Sequence, residues 1–396
     1  MKALVLKEYH QLSYEDVPEP HYGPDDLLVQ VKACAICGSD VHGLDGSTGR
    51  RQPPIIMGHE ASGVVAAVGE RVQGFAPGDR ITFDSTIYCG RCHFCRQGRI
   101  NLCDNRRVLG VSCDDYRQNG ALAEFVAVPS HIAYHLPEGV SFEQAALVEP
   151  VSIAVHAVSL APLNLGDTAV VVGVGTIGLL IIQILRTAGC GQIIALDIDH
   201  GKFDLARRFG AAVCWDPREE DLLHRIRSLT KGRGADLAFD AVGLSFTVGQ
   251  AAGLLRKGGA LVLVGNLSPQ ADLPLQSVVT REIALYGSCA SSGEYPICLE
   301  LIQQGKVDVN SLISATAPLR DGAEWFQREC AALGIKARNN LVDIGVRVEI
   351  PASSMEEITR EVYESKLIYY TPTFHDQIRT FCMNPGGEVV MENTDG

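Results

Sequence analysis

The stretch TAVVVGVGTIGLLIIQIL, residues 168–185, decides how the fold of this chain is interpreted. It begins with β-branched residues, Val170 to Val172, which are typical of a buried parallel strand. Three glycines follow, and an apolar helical run begins with them. The stretch carries no charge over nearly the length of a membrane span, but the clustered glycines and the α/β pattern behind it indicate a strand, a turn and a helix.

The glycines have the spacing G-x-G-x-x-G and are Gly173, Gly175 and Gly178, with Thr176 and Ile177 between the last two. After a strand and before a helix, this spacing allows a tight turn and a close approach of the backbone to a pyrophosphate. The helix N-terminus then attracts that anion. These five residues are therefore predicted to bind a dinucleotide.

An acidic residue completes the dinucleotide pattern 19 residues beyond Gly178. Asp197 is predicted to end a second strand, in QIIALDID at residues 192–199. A carboxylate there accepts hydrogen bonds from ribose hydroxyls and repels a 2′-phosphate, which favours NAD over NADP. Asp199 is the alternative for this contact, and Lys202 is expected to reach the ribose.

Strands and helices continue to alternate downstream, which predicts a doubly wound parallel sheet over residues 151–289. Open α/β sheets bind ligands at the carboxyl ends of their strands. The further strands are predicted within ADLAFDAVG (235–243), GGALVLVGN (258–266) and EIALYGS (282–288). The residues expected to face the cofactor at these ends are Val242, Gly265 and Asn266.

Composition excludes several classes of partner for this chain of 396 residues, which has a net charge of −13. No surplus of lysine and arginine exists to neutralise phosphates, which argues against nucleic acid and anionic membranes. The first residues, MKALVLKEYH, are too short and too charged for a signal peptide, so a cytoplasmic location is expected.

Thirteen cysteines in a reducing compartment favour metal binding where they cluster. YCGRCHFCRQGRINLC, residues 88–103, has the spacing C-x2-C-x2-C-x7-C and predicts a closed, structural zinc site. A disulfide pair, an iron–sulfur cluster and a nucleic-acid zinc ribbon are less favoured alternatives. The four predicted ligands are Cys89, Cys92, Cys95 and Cys103. The scattered cysteines, expected to be small buried hydrophobes, are Cys113, Cys190, Cys214, Cys289, Cys298, Cys330 and Cys382.

A second metal site is predicted from a mixed set of sulfur, nitrogen and oxygen donors. CAICGSDVHG (34–43), IIMGHEASGVV (55–65) and AALVEPVSIAVHAV (145–158) carry these donors. Three protein ligands and one free position are what a catalytic zinc uses. The donors are Cys37, His59, Glu60 and Glu149.

The motifs CGSDVH, GHE, the four-cysteine segment, VEP and GVGTIG follow one another in a single chain. Over roughly residues 1–330 this order resembles the zinc-dependent medium-chain alcohol dehydrogenases, in their polyol and secondary-alcohol branch. The resemblance implies a GroES-like, β-barrel-type catalytic domain beside the Rossmann domain. Short alternating strands in residues 1–150 agree with this, and residues 290–345 are expected to complete that domain.

The resemblance also implies roles for single residues. Cys37 and His59 bind the zinc, and the carboxylate ligand is either Glu60 or Glu149, the other exchanging with bound water. Asp40 accepts the second ring N–H of His59; its alternative role is to close a turn.

Two further residues are implied to move the substrate's proton. Ser39 takes the proton, and His42 hands it towards solvent, unless His42 is an ordinary surface residue. The expected reaction is hydride transfer from a secondary alcohol to NAD, giving a ketone, in a homo-oligomer. A non-catalytic dinucleotide sensor and a zinc-free reductase on the same fold are the rival hypotheses.

The substrate is left open by departures from the sorbitol-type pattern. Gly43 stands where those enzymes tend to have an aromatic side chain, and SCASSGEYP (288–296) lacks their arginine. Arg50, Arg51 and Arg117 are candidates to meet a phosphate or carboxylate, although surface arginines usually do not.

Residues 346–396 are expected to be an extension of unknown role. A capping box, Ser354 with Glu357, predicts one helix there, and NNLVDIGVRVEI (339–350) is a candidate closing strand. His375 is not a candidate ligand.

Overall fold

The computed structural model describes residues 1–47, 49–113 and 116–332, and the backbone of residues 368–370 and 377–379. It divides into two compact units, Met1–Arg338 and Asn339–Gly396. In the second unit the two described strands pair antiparallel, with Ile368 opposite Arg379. The predicted helix at Ser354, the candidate strand 339–350 and His375 lie outside the described residues.

Strands predominate in residues 1–150 and strands alternate with helices in residues 151–289, as the sequence predicts. The strands are β1 (Lys2–Glu8), β2 (Gln11–Asp16), β3 (Asp26–Ala35), β4 (Ile55–Ile56), β5 (Glu60–Val68), β6 (Arg80–Phe83), β7 (Thr86–Ile87), β8 (Arg107–Val108), β9 (Val111–Cys113), β10 (Tyr116–Gln118), β11 (Phe125–Pro129), β12 (Ala133–His135), β13 (Thr168–Val172), β14 (Gln192–Leu196), β15 (Val213–Trp215), β16 (Ala235–Asp240), β17 (Leu255–Leu263), β18 (Ala284–Gly287), β19 (Ile368–Tyr370) and β20 (Gln377–Arg379). The helices are α1 (Gly38–Leu44), α2 (His93–Arg96), α3 (Phe142–Ala146), α4 (Val148–Leu160), α5 (Thr176–Thr187), α6 (Phe203–Phe209), α7 (Leu222–Leu229), α8 (Ser245–Leu254), α9 (Leu275–Thr280), α10 (Tyr295–Gln303) and α11 (Gly322–Ala332).

An antiparallel sheet organises the first part of the chain, with strand order β11-β3-β5-β6-β12. In β3, Leu27 and Val29 alternate inward and are fully buried, as expected for a sheet with one face on the core. The register pairs Ala35, at the end of β3, with Glu60, at the start of β5. This pairing brings the segment after β3 and the segment before β5 to the same place, which is where the candidate metal ligands stand.

A six-stranded parallel sheet organises the second part, with strand order β15-β14-β13-β16-β17-β18. Ala169 and Val171 of β13 pack into one hydrophobic core, which also contains residues of α5. Val170 and Val172 point the other way, into a second core with residues of α8. The sheet therefore has helices on both faces, and the predicted doubly wound Rossmann topology is confirmed.

Helix α11 returns to the first part of the chain. Its residues Phe326 and Cys330 are fully buried in one core with Leu4 and Leu6 of β1. The division into residues 1–150, 151–289 and 290–345 stays a prediction, but this contact agrees with a return of the chain after the parallel sheet.

The scattered cysteines are only in part the buried hydrophobes expected from the sequence. Cys214, Cys298 and Cys330 are buried, whereas Cys113, Cys190 and Cys289 are half-buried. The expectation is wrong for these three because each lies in a loop or at a strand end, where one side faces solvent; Cys382 lies outside the described residues.

The membrane-like stretch at residues 168–185 divides into β13, a turn and α5. In the part of the chain that the structure describes, no helix combines the length and the apolar character needed to cross a membrane.

Candidate functional site

Three candidate ligands from two segments converge at the end of β3. Cys37 precedes α1 in extended backbone, Glu60 is the first residue of β5, and His59 comes directly before it. Each of the three offers one ligand atom, and these atoms all lie within 4.8 Å of one another. They are the thiol sulfur of Cys37, a ring nitrogen of His59 and a carboxylate oxygen of Glu60. Gly58 permits this approach, because a Cβ on it would lie 2.8 Å from the Sγ of Cys34 and the backbone nitrogen of Leu122. A thiol, an imidazole and a carboxyl at this separation fit a zinc ion.

Glu149, the other candidate carboxylate, does not belong to this group of three. It lies in the first turn of α4, and its Oε1 accepts a hydrogen bond of 3.4 Å from Ser85. Burial raises the pKa of Glu149 to about 8, with His59 lowering and Glu60 raising it. Glu149 is therefore a neighbour of the three ligands, approaching from a different helix.

The ring of His59 is held between two polar groups. Its Nδ1 lies 3.2 Å from Oδ2 of Asp40, and its Nε2 lies 3.4 Å from Oγ of Ser39. Neither of the atoms Nδ1 of His59 and Oδ2 of Asp40 has a hydrogen-bond partner among the described residues, so the two are paired by charge and distance. A proton on Nδ1 would face Asp40 and leave the lone pair of Nε2 on the side of Cys37. Although burial opposes ionisation of Asp40, His59 and Arg51 hold its pKa well below the usual range.

Arg51 is buried, so its interpretation as a surface residue is wrong. Only 3% of it is exposed, and its Nη2 donates to Oδ1 of Asp40 over 2.8 Å. It comes from the loop between α1 and β4, where local sequence pattern carries no information on burial.

Burial raises the pKa of the Cys37 thiol to about 11. The pKa of the Glu60 carboxyl is raised as well, and burial is the largest cause. Such a thiol keeps its proton at neutral pH unless a metal displaces it, so metal binding here would release protons.

Ser39 and His42 lie one helical turn apart on α1. The Ser39 hydroxyl donates to Sγ of Cys37 over 3.4 Å, which puts it directly beside the candidate ligands. His42 is half-buried, and no hydrogen bond between its side chain and that of Ser39 is found among the described residues. The structure thus brings Ser39 to the ligands, but not the two side chains into direct contact.

The four clustered cysteines also converge. Their four sulfur atoms all lie within 4.8 Å of one another. Backbone N–H groups point at these sulfurs: Cys89 and Asn105 each donate to Sγ of Cys103 over 3.3 Å. The amides of Arg91 and Cys92 lower the pKa of the Cys89 thiol to about 6. Such donors stabilise thiolates, so the cluster fits a zinc ion with four sulfur ligands. The four cysteines are Cys89, Cys92, Cys95 and Cys103.

The glycine-rich turn has the geometry that a dinucleotide needs. A Cβ on Gly178 would lie 1.8 Å from the carbonyl oxygen of Gly173, so α5 can start this close to β13 only with glycine there. Gly175 and Thr176 are exposed, and no side chain caps the helix at Gly175. The N–H groups of the first turn, Ile177 included, are thus free to meet an anion.

Asp197 follows the end of β14 and is buried. Its carboxylate accepts hydrogen bonds from the backbone N–H groups of Val174, at 2.7 Å, and Asp199, at 2.8 Å. Lys202 lies between the two acidic side chains, with Nζ 3.8 Å from Asp197 and 3.7 Å from Asp199. All three predicted ribose-contact residues therefore stand together beside the glycine-rich turn.

Strand ends β16 and β17 meet at the same edge. A Cβ on Gly265 would lie 2.4 Å from the backbone nitrogen of Val242, and Gly243 packs equally closely on Asn266. Asp240, a residue that sequence reasoning missed, is fully buried and accepts the N–H of Gly243 over 2.9 Å. Its only signal in the sequence was its position at the end of the strand predicted within ADLAFDAVG (235–243).

Comparisons with known proteins agree with this geometry. The family model for the alcohol dehydrogenase GroES-like domain matches residues 23–138, and that for zinc-binding dehydrogenase matches residues 176–304. The probable D-xylulose reductase A of Aspergillus fumigatus is 35% identical over 343 residues, which cover 84% of this chain and 95% of that protein. Sorbitol dehydrogenase of Bacillus subtilis is 33% identical over 341 residues, covering 83% and 95%.

A solved structure is similar over the same part of the chain. Alcohol dehydrogenase TADH from Thermus sp. ATN1 matches with a TM-score of 0.79 and 30% identity, covering 84% of this chain and 97% of that one. The chain is accordingly a member of the zinc-binding medium-chain alcohol and polyol dehydrogenases, and thus an oxidoreductase.

Proposed function

We propose that the protein oxidises a secondary alcohol of the polyol, sugar-alcohol or diol class to a ketone and passes the hydride to NAD. The observation that carries this proposal is the convergence of Cys37, His59 and Glu60 within 4.8 Å. The relatives named for D-xylulose and sorbitol support the substrate class. A non-catalytic sensor would have no use for this donor set with a serine hydroxyl beside it.

Cys37, His59 and Glu60 would hold the catalytic zinc, and Glu149 would stand near it as the exchanging carboxylate. Zinc in such a site supplies a Lewis acid that lowers the pKa of a substrate hydroxyl. Asp40 orients the His59 ring, and the Ser39 hydroxyl would accept the proton of the substrate hydroxyl as it releases its own proton towards solvent. His42 would pass the proton on through water, because its side chain does not contact Ser39 directly.

The four clustered cysteines would hold a second zinc with a structural role. Four sulfur ligands leave no position for a substrate, so this ion shapes the segment and takes no part in the reaction.

NAD would bind at the glycine-rich turn and accept the hydride from the substrate carbon. Gly173, Gly175 and Gly178 let its pyrophosphate reach the first turn of α5. Asp197 would meet the adenosine ribose, with Lys202 beside it. Val242, Gly265 and Asn266 would face the cofactor from the next strand ends.

The test is the variant Cys37→Ser, in which the thiolate ligand is lost. We expect the zinc content to fall from two ions per chain to one and turnover to vanish, while NAD still binds. Zinc is measured by mass spectrometry of the dialysed protein, and NAD binding by calorimetry.

Cys190→Ser is the matched control, because Cys190 donates to the carbonyl of Asp167 over 3.1 Å, a bond that serine can also make. Full activity of metal-free protein, or of Cys37→Ser, would refute the proposal. A screen of NAD reduction over polyols, sugar phosphates, diols and hydroxy-amino acids identifies the substrate.

We also propose a homo-oligomer located in the cytoplasm. Within the described sheet β18 pairs with β17 alone, so its outer edge is open. Leu275, Val279 and Leu285 are 66%, 65% and 39% exposed near that edge, which favours a second copy covering it. The cysteines of the described residues are all unpaired, which agrees with a reducing compartment. Sedimentation of the wild type against Leu285→Asp tests the assembly, since a monomeric wild type would contradict it.

A further inference from the structure

Arg51 places a buried positive charge beside the candidate zinc site. It is 3% exposed and its partner Asp40 is fully buried. Its Nη2 donates both to Oδ1 of Asp40, over 2.8 Å, and to Oγ of Ser39, over 3.3 Å. Burying an ion pair costs desolvation energy that the pairing seldom returns in full. The pair is therefore poorly explained by fold stability and better explained by the site that it serves.

Gly43 is what lets Arg51 reach this position. A Cβ at Gly43 would lie 2.4 Å from Cγ and 3.3 Å from Cβ of Arg51. Gly43 is in α1, where glycine costs about 0.5–1 kcal/mol relative to alanine. Its backbone is right-handed helical, so no turn requires glycine there. The missing side chain makes the groove along which the stem of Arg51 crosses the helix.

The other oxygen of Asp40 faces the candidate ligand His59. Oδ2 of Asp40 lies 3.2 Å from Nδ1 of His59, while Oδ1 is taken by Arg51. With Oδ1 held by Arg51, the Asp40 carboxylate has one orientation in which Oδ2 meets the imidazole. Arg51 also contacts Ser39, and this contact holds the Ser39 hydroxyl beside the thiol of Cys37.

The charges of the groups around the site also indicate a role for Arg51 there. Zinc with the thiolate of Cys37 and the carboxylates of Glu60 and Asp40 carries a net charge of −1 when the exchanging group Glu149 is left out of the sum. The guanidinium of Arg51 brings the sum to zero. A neutral site can accept the negative charge that develops on a substrate oxygen better than an anionic one.

We propose that Arg51, crossing α1 over Gly43, is the positioning residue of the zinc site: it holds Asp40 against His59 and the Ser39 hydroxyl beside Cys37. The inference rests on the proposed function, since it assumes a zinc ion held by Cys37, His59 and Glu60. It assigns Gly43 to this site as well, through the stem of Arg51.

The test measures zinc release from the full-length, zinc-loaded protein to a chromogenic chelator. The wild type should release two ions per chain in separate phases, one from the mixed site and one from the four cysteines. Arg51→Lys keeps the positive charge but replaces the forked guanidinium with a single ammonium group. Gly43→Ala keeps Arg51 but pushes its aliphatic carbons away from α1. In both variants the mixed-site phase should be roughly 10–100-fold faster, matching the usual loss of metal affinity when the outer partner of a ligand is disturbed. The four-cysteine phase should not change.

Gly249→Ala is the matched control, because Gly249 lies in α8 and a Cβ there meets no atom within 4 Å. Its release kinetics should equal those of the wild type. A double variant sharpens the test: in an Arg51→Ala background, Gly43→Ala should add little, since the Cγ atom it would strike is absent. Turnover should fall in Arg51→Lys and Gly43→Ala, with the KM for NAD unchanged.

Wild-type release kinetics in either single variant would overturn the inference. Equal acceleration of both phases would also overturn it, because that result indicates general loss of stability. A wild type that holds only the four-cysteine zinc would overturn the proposed function itself, and this outcome is visible before any variant is made.

Discussion

At the scale of single residues, two carboxyl groups compete for one role: that of Glu60, which is buried, and that of Glu149, which is half-buried. Glu60 lies with Cys37 and His59, whereas Glu149 lies outside that group and bonds to Ser85. Both have pKa values raised first by burial. Burial disfavours the charged form of each carboxyl and a nearby cation favours it, so each carboxyl can neutralise part of the charge of a bound metal ion.

Separate substitutions distinguish these two residues. Glu60→Gln should reduce the zinc content to one ion per chain, because an amide is a weaker ligand than a carboxylate. Glu149→Gln should keep two ions and lower kcat. Zinc analysis and steady-state kinetics check both variants, and loss of zinc from Glu149→Gln alone would assign the ligand to Glu149.

The selection of NAD also depends on a single side chain. Asp197→Asn removes the negative charge but keeps one acceptor for the N–H groups of Val174 and Asp199. We expect the ratio of kcat/KM for NADP to that for NAD to rise about tenfold, corresponding to roughly 1.4 kcal/mol of lost repulsion. An unchanged ratio would mean that another group excludes the 2′-phosphate.

At the scale of elements, the turn between β13 and α5 separates packing from binding. Gly178 packs on the carbonyl of Gly173, while Gly175 meets no protein atom within 4 Å of a would-be Cβ. One glycine is therefore required by the fold, and the other leaves space in front of the helix N-terminus.

Alanine at each position should give opposite results. Gly178→Ala should lower the free energy of unfolding by about 2–3 kcal/mol, because α5 must move away from β13. Gly175→Ala should fold normally but bind NAD at least about tenfold more weakly, because its Cβ enters the pyrophosphate space. Thermal unfolding and calorimetry measure the two effects, and normal NAD affinity in Gly175→Ala would contradict the assignment.

At the scale of the whole molecule, three distant segments meet at His156 of α4. Its Nδ1 lies 2.6 Å from Oε1 of Glu294, and Nδ2 of Asn101 lies 3.3 Å from its Nε2. Asn101 belongs to the four-cysteine segment and also donates to the carbonyl of Cys289 over 2.8 Å. This junction ties the four-cysteine segment to the parallel-sheet part of the chain.

The junction predicts a pH-dependent loss of stability in Glu294→Gln. Burial alone would raise the pKa of Glu294, but His156 and the amide of Ser292 lower it overall. The charged form is thus favoured by folding, so its contribution is present above the unfolded pKa of about 4.3 and is lost as the pH falls through the lower folded value.

At pH 7 we expect Glu294→Gln to be about 2 kcal/mol less stable than the wild type, and this difference should shrink as the pH falls below about 4. Urea unfolding at several pH values measures it. Glu300→Gln, an exposed carboxyl on α10, is the control and should stay within about 0.5 kcal/mol of the wild type. A difference that is constant with pH would mean that Glu294 acts by packing alone.

The sequence by itself determined the parts of this protein that depend on local pattern. Apolar runs fixed β13, β14 and β16, because a buried parallel strand must be apolar on both faces. Spacing fixed the glycine-rich turn and the four-cysteine cluster, because each forms within a single short segment of chain. Cys37, His59 and Glu60 could be named as candidates from their residue types and order.

Only the tertiary structure decided which side chains from distant segments meet. The pairing of β3 with β5 brings Glu60, rather than Glu149, to Cys37. The burial of Arg51 over Gly43 and the junction at His156 depend in the same way on contacts between segments far apart in the chain. Local pattern records the secondary structure of a segment, whereas burial and charge pairing are set by the surface against which the segment packs.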